Sequence, residues 1–333
     1  MKRVLYLHPC SGNNLGDLLT LKGSEWLISQ ALGEHIHYMA DLDELEPNPD
    51  LVFSKFKDVS IDVLIVSGTP WLWDHCEVSL KYRVLINLLQ LFPDTLKIAL
   101  GIGSCYTSNT LCFNSIKATH IREVWSHFNC IFTRDCLAYS ILKLMNLEVY
   151  DELDTAVHLK KVWTSPKYSK EEKTQTSLIF YQPELGLAKA GLGLDFINQY
   201  NLFQLDFIKR YNPNIYVISP DESSWLKDKS ITSEVIPNVS RLLEILVKSK
   251  FVVSGRLHSA IPARVLGIST YLMPVDSRAL TAVKLNIPLI DVRNSYNFDN
   301  FDKTEVSDLN KLDKLISESV FRIITKLHRV FNI

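Results

Sequence analysis

The chain has 333 residues, too many for one simple core and suited to about two domains. Apolar residues make up 47% and charged residues 22%, and 36 Lys+Arg against 37 Asp+Glu remove bulk charge as a reason to expect a nucleic-acid partner. No apolar run reaches the roughly 18 residues that span a bilayer. The opening MKRVLYLHPC lacks the apolar core and cleavage site of a signal peptide, so a cytoplasmic protein is expected. The six cysteines (Cys10, Cys76, Cys105, Cys112, Cys130 and Cys136) then read as thiols.

In chain order, RVLYLH (3–8) is a short apolar strand, and Leu18, Leu21, Trp26, Leu27 and Ala31 recur near helical spacing until Gly33 stops the helix. VLIVSG (63–68), KIALGIG (97–103) and CIFT (130–133) are further buried strands, with helical patterns at 77–92 and 136–145. The charged stretch 160–176 reads as a linker. Strands resume at 177–181, 214–219, 250–255, 269–273 and 288–292, and a helical pattern over 309–331 closes the chain. Alternation of this kind predicts an α/β fold with parallel sheets covered on both faces, arranged as two Rossmann-like domains facing across a cleft. The expected limits are 1–159, 177–305 and a closing helix in 306–333.

Ligands of open parallel sheets bind beyond the carboxyl ends of the strands, which singles out a few loops. In VVSGRLHSAIPARVLG (252–267) a buried strand hands over to Arg256 and His258 where a helix should begin. Free amides at that helix start form an anion site, Arg256 adds a permanently charged fork, and His258 can bind the anion or move a proton. The bland alternative pairs Arg256 with a buried acid and leaves His258 as a cap. CSGNNLGD (10–17) can turn tightly and present amides through Asn13, Asn14 and Gly16, with Asp17 starting a helix. It is neither a dinucleotide fingerprint nor a P-loop, because the glycine spacing is wrong and no Lys-Ser/Thr follows. In TRD, Asp135 is an N-cap candidate and Arg134 faces the cleft mouth.

As an ordered set, GNNLGD, TRDCLAYSIL, ELDTAVHL (152–159) and SGRLHSAIPARVLGIST resemble the polysaccharide pyruvyl transferase family over most of residues 4–300. The resemblance implies a GT-B-like pair of domains that takes phosphoenolpyruvate as donor and attaches its pyruvyl group, commonly as a ketal, to a saccharide. Carried onto this chain, the basic donor-binding positions fall on Arg134, Arg256 and Arg278, the acid/base candidate on His258, and a matching acid on Asp154. The resemblance places the donor on the second domain and the acceptor on the first. Such chemistry needs no metal and no cofactor beyond the donor. The sequence departs from the family in SGTPWLWD (67–74), which keeps Gly68 but not a glycine pair, and in Arg278, which replaces a lysine. Trp71 and Trp73 could stack on a sugar face or pack beneath the loop.

Cys10, Cys76 and Cys105 follow candidate strands, but no C-x-x-C pair accompanies them, so no metal site is expected. His8, His35, His37, His75, His127 and His328 read as packing or surface residues. The basic residues of the last helix read as a solvated face, with weak membrane-surface contact as the alternative. A glycosyltransferase using a nucleotide sugar, and a non-catalytic anion- or glycan-binding relative, are the competing functional classes.

Overall fold

The computed structural model describes residues 1–9, 14–73, 76–106, 115–163, 175–183, 192–293 and 309–332. The first sheet comprises β1 (Arg3–His8), β2 (Ile36–Asp41), β3 (Val63–Ser67), β4 (Pro70–Leu72), β5 (Leu96–Ser104), β6 (Cys130–Thr133) and β7 (Val149–Asp151). Its order is β2-β1-β3-β5-β6-β7, with β4 beside the end of β5, and every pairing is parallel. Helices α1 (Leu15–Leu32), α2 (Leu42–Leu45), α3 (Leu51–Phe56), α4 (Leu80–Leu91), α5 (Ser115–Trp125) and α6 (Cys136–Leu144) lie between the strands. Runs such as VLIVS are buried at every position because helices cover both faces of the sheet. The edge strand β2, IHYMAD, is half exposed, and its histidines and aspartate hide it from an apolar-run search.

After α7 (Leu159–Val162) the second sheet is formed by β8 (Gln175–Ile179), β9 (Asn214–Val217), β10 (Glu234–Val235), β11 (Ser249–Ser254) and β12 (Ser269–Leu272). Its order is β10-β9-β8-β11-β12, again parallel throughout. It is wrapped by α8 (Leu194–Tyr211), α9 (Pro220–Lys227), α10 (Val239–Lys248), α11 (Leu257–Val265) and α12 (Ala279–Lys284). The segment expected as a strand at 288–292 makes only one bridge, Leu272 to Leu289, before a turn in which Asp291 accepts from the Arg293 amide.

Two seams hold the domains together. Leu15 and Leu19 of α1 share one apolar cluster with Leu257 and Ile261 of α11, which brings the loop after β1 against the start of α11. Across the other side, Ser104 and Ser277 hydroxyls meet at 2.9 Å, the Tyr106 amide donates to the Ser277 hydroxyl at 2.9 Å, and the Ser277 amide donates to the Tyr106 carbonyl at 3.0 Å. The last helix, α13 (Leu309–Phe331), then returns to the first domain: Ile323 and Leu327 are buried with Val4, Tyr6 and Ile65. Arg322 (2.7 and 2.8 Å) and Ser319 (2.7 Å) fix α13 to the buried Glu152 carboxylate.

Candidate functional site

The chain leaves β6 into Arg134 and Asp135, and the two side chains part company there. Asp135 caps α6 through the Ala138 amide at 2.7 Å and accepts from the Ser104 amide and hydroxyl at 2.8 and 2.9 Å. Arg134 instead runs, completely buried, over Gly103. A Cβ at residue 103 would lie 2.2 Å from Arg134 Nε, so glycine is what makes room for the guanidinium. Its NH1 reaches Asp154 Oδ2 at 3.0 Å and lies 3.3 Å from His258 Nε2. Arg134 Nε and NH2 are buried with no hydrogen-bond partner.

Asp154 is the hub of this cluster. It N-caps the short turn Thr155–His158, with Oδ1 accepting from the Ala156 amide at 2.8 Å. Its Oδ2 faces both Arg134 and His258 Nε2, the latter at 3.2 Å. Burial works against ionisation of this carboxyl, but the adjoining His258 and Arg134 outweigh it and hold the pKa below the ordinary carboxylate value. A carboxylate can only accept, so His258 Nε2 carries the proton and donates it to Asp154. In the neutral ring, Nδ1 is then the nitrogen with a lone pair. It sits against Gly16, where an added Cβ would come within 2.5 Å of Nδ1. The tight approach of the two domains at this point therefore requires glycine at 16.

His258 lines a cavity of about 550 Å³ between the two sheets. Asn14, Gly16 and Asp17, with Thr69 and Pro70, form the wall from the first domain; Tyr181, Ser219, Gly255, Arg256, Asp276 and Arg278 belong to the facing wall. α11 begins at this wall, where the first amides of a helix lack intrahelical partners. Arg256 lies over the Tyr181 ring at 4.8 Å and pairs with the buried Glu222 at 2.8 Å, while its Nε is buried without a partner. Arg278 is tied to Asp276 through Nε at 2.8 Å and NH2 at 2.5 Å.

The structure thus brings His258, Arg256, Arg278, Asn14, Gly16 and Asp17 to one cavity. It places Arg134 behind His258 rather than on the cavity surface, so the three arginines do not form one clamp. Asn14, not Asp17, caps α1: its Oδ1 accepts from the Gly16 amide at 3.1 Å and its Nδ2 donates to Asp17 at 2.5 Å. Asn13 lies outside the described residues. Gly68 turns the chain with φ 50° over Thr20. Trp71 is completely buried against Tyr82 and Trp125, and Trp73 packs on Tyr82; neither lines the cavity. The stacking expectation gives way because the loop folds its tryptophans inward and shows Thr69 and Pro70 outward.

A larger groove of about 760 Å³ lies at the far end of the first sheet, beside Lys2, Asp58, Pro93 and Phe331, and contains none of these residues. Among the described residues no group of three His, Cys, Asp or Glu side chains could hold a metal ion. Cys76 is buried near Tyr82, and Cys105 lies beside Asp276. Cys10 lies outside the described residues. No helix among them is long and apolar enough to cross a membrane.

Three contributors escape a reading of the loops alone. Glu222 is hidden inside α9, where it reads as the second half of a capping box with Ser219. Lys81 carries no motif, and Thr69 lies inside SGTPWLWD with nothing but its neighbours to mark it. Asp154 carried a signal, since it precedes a short turn as an N-cap would, but its bonds to Arg134 and His258 cross between distant segments.

A family model described as "Polysaccharide pyruvyl transferase" matches residues 14–277. Among solved structures, the S. aureus protein MnaA with UDP is similar at TM-score 0.60 and 12% identity, over 100% of this chain and 97% of that one. UDP-GlcNAc 2-epimerase from Neisseria meningitidis, bound to UDP-GlcNAc, is similar at TM-score 0.58 and 12% identity, over 96% of this chain and 100% of that one. A putative UDP-N-acetylglucosamine 2-epimerase from Listeria monocytogenes gives 0.57 and 9%, over 96% and 90%. At such identities the likeness concerns the fold, a GT-B-like pair of α/β domains. A search of curated proteins finds no match. With the family model covering both domains and the Arg134, Asp154, Arg256 and His258 segments, the chain belongs to the polysaccharide pyruvyl transferase family.

Proposed function

We propose that the protein transfers the pyruvyl group of phosphoenolpyruvate to a saccharide or saccharide-like acceptor and forms a ketal, acting in the cytoplasm without metal or cofactor. The observation that carries this reading is His258, held through Nε2 by the buried Asp154 and lining the cavity between the two domains. Phosphoenolpyruvate has a phosphate and a carboxylate. Arg256, Arg278 and the first amides of α11 supply donors for two anions on one wall. As an imidazolium, His258 gives its Nδ1 proton to the methylene carbon, and the positive charge that develops at the central carbon is met by an acceptor hydroxyl oxygen. Neutral His258 then takes the proton of that hydroxyl. A second hydroxyl displaces phosphate from the same carbon, which closes the ketal and releases inorganic phosphate with the second proton. Asp154 and Arg134 keep the ring in register throughout.

The test is thermal stabilisation by a ligand panel, because a ligand that binds only the folded state raises its apparent stability. Phosphoenolpyruvate should raise the melting temperature, and saccharide addition should release phosphate. A shift with a uridine or guanosine diphosphate sugar and none with phosphoenolpyruvate would assign the cavity to glycosyl transfer instead.

A further inference from the structure

Lys81 is a buried cation that the reaction above does not use. It stands in the first turn of α4, at the positive end of the helix dipole, and is only 9% exposed. Its Nζ lies 4.2 Å from the centre of the Trp71 ring and 5.3 Å from that of Trp73. It donates to Thr69 Oγ1 at 3.1 Å and to the Pro70 carbonyl at 2.8 Å. Among the described residues it forms no ion pair. A buried ammonium without a counter-ion is costly, and the aromatic faces recover only part of that cost.

Thr69 and Pro70, the two residues that Lys81 holds, line the cavity. Thr69 has φ 53°, a left-handed conformation that a β-branched residue rarely adopts, so the turn is strained and something must keep it in place. Lys81 does this from behind. Because the ammonium donates to Thr69 Oγ1, the threonine must direct its own hydrogen elsewhere, and among the described residues no acceptor stands within reach of it.

We infer that Lys81 and Thr69 form an anion-reading pair on the first-domain wall, in which Thr69 donates its hydroxyl hydrogen to a phosphoryl or carboxylate oxygen of a bound ligand. Thr69 is the binding residue and Lys81 the residue that positions and polarises it. The inference takes the cavity to be the substrate site proposed above, but its test reads binding and does not depend on turnover. The oxyanion could belong to phosphoenolpyruvate or to a charged saccharide, and the arms of the experiment separate the two.

Burial pulls the Lys81 pKa down from 10.5 to about 8. The charged or titratable groups whose fields reach it are Asp17 on α1, Glu46 after α2, Arg134 after β6, Cys105 after β5 and His8 on β1, whose pKa burial lowers from 6.5. Burial pushes the Cys105 thiol up to about 11, above the window that matters. Below about pH 8 the ammonium must donate and the Thr69 hydrogen is free for a ligand. Above it, the neutral amine offers a lone pair that Thr69 can turn towards, and the charge is gone.

Phosphoenolpyruvate, galactose 1-phosphate and neutral galactose are titrated calorimetrically into the full-length protein at pH 7 and pH 9. The parent is compared with Lys81→Met, Thr69→Val and Thr69→Ser. At least one anion should bind the parent about tenfold more weakly at pH 9, the size of one charge-assisted hydrogen bond. Lys81→Met and Thr69→Val should each lose about tenfold at pH 7 and the pH dependence with it. Thr69→Ser should restore both, and galactose should respond to none of the changes. The anion that responds identifies the source. If Lys81→Met does not fold, the valine–serine pair at 69 decides alone. Equal anion affinity in parent and Thr69→Val overturns the inference while leaving pyruvyl transfer standing. Failure of the parent to bind either anion overturns both.

Discussion

Replacing Asp154 by Asn tests the centre of the site most directly. The side chain is buried and uses both oxygens: Oδ1 takes the Ala156 amide, and Oδ2 takes Arg134 NH1 at 3.0 Å and His258 Nε2 at 3.2 Å. An asparagine of the same shape has one oxygen and one NH₂. If the oxygen faces Arg134, the NH₂ opposes the Ala156 N–H; if the NH₂ faces inward, it opposes two donors. In either orientation Arg134 loses the carboxylate of its ion pair, with Nε and NH2 already unpartnered. Removing one partner of a buried pair costs about 3–5 kcal/mol, and that loss should appear in urea unfolding of Asp154→Asn. The gap from the parent has a defined pH course. Because the folded-state pKa of Asp154 is held below its ordinary 3.8, the stabilisation is fully present above that value and is lost only as the pH falls below it. The difference should therefore be flat from about pH 5 to 8 and shrink in stronger acid. Product formation should drop by about 10² or more, since His258 loses the group that fixes its tautomer. An asparagine variant with parental stability and turnover would show that Asp154 does not hold the cluster.

Other outcomes follow from the same contacts. Arg256→Ala should weaken phosphoenolpyruvate binding in calorimetry, whereas His258→Ala should keep the donor and lose about 10²–10⁴ in turnover; the reverse pattern would exchange their roles. Gly103→Ala places a methyl 2.2 Å from Arg134 Nε and should cost about 1–3 kcal/mol in unfolding experiments, with a parallel loss of turnover. The His158 ring lies tilted against Trp26, centroids 5.1 Å apart, with both ring nitrogens unpartnered, and burial lowers its pKa from 6.5 to about 4. Between those values the unfolded chain binds more protons, so stability should fall by up to about 3 kcal/mol as the pH drops from 6.5 to 4. His158→Phe should flatten that fall in urea melts.

Much of the architecture is legible in the residues because fully buried parallel strands read as unbroken apolar runs. Leu64–Val66 and Phe251–Val253 are examples, each followed by a glycine turn. The edge strand β2 escapes because a half-exposed edge tolerates polar residues, and the run at 288–292 misleads because apolar content does not require a ladder. At the site, Arg256 and His258 stand out by placement alone. What placement cannot show is direction. Arg134 and Asp135 are neighbours in sequence, yet they turn to Asp154 and Ser104, twenty and thirty-one positions away. Trp71 lies on β4 and Trp73 just after it, and their packing against Tyr82 depends on where β5, against which β4 pairs, sets that strand.

The return of α13 gives the chain an unusual accounting of parts. The first domain is assembled from segments on both sides of the second, so in topological terms the second domain is an insertion into the first. The chain therefore passes between the domains twice, and Ser319 and Arg322 grip Glu152 where α13 rejoins the first. Cutting the chain once in the 160–176 stretch would therefore not release a self-sufficient first half, because Ile323 and Leu327 would leave with the other fragment and open the face they cover. The second sheet with its helices is bounded by two cuts, but lifting it out would also break the apolar cluster it shares with Leu15, Leu19 and Leu312.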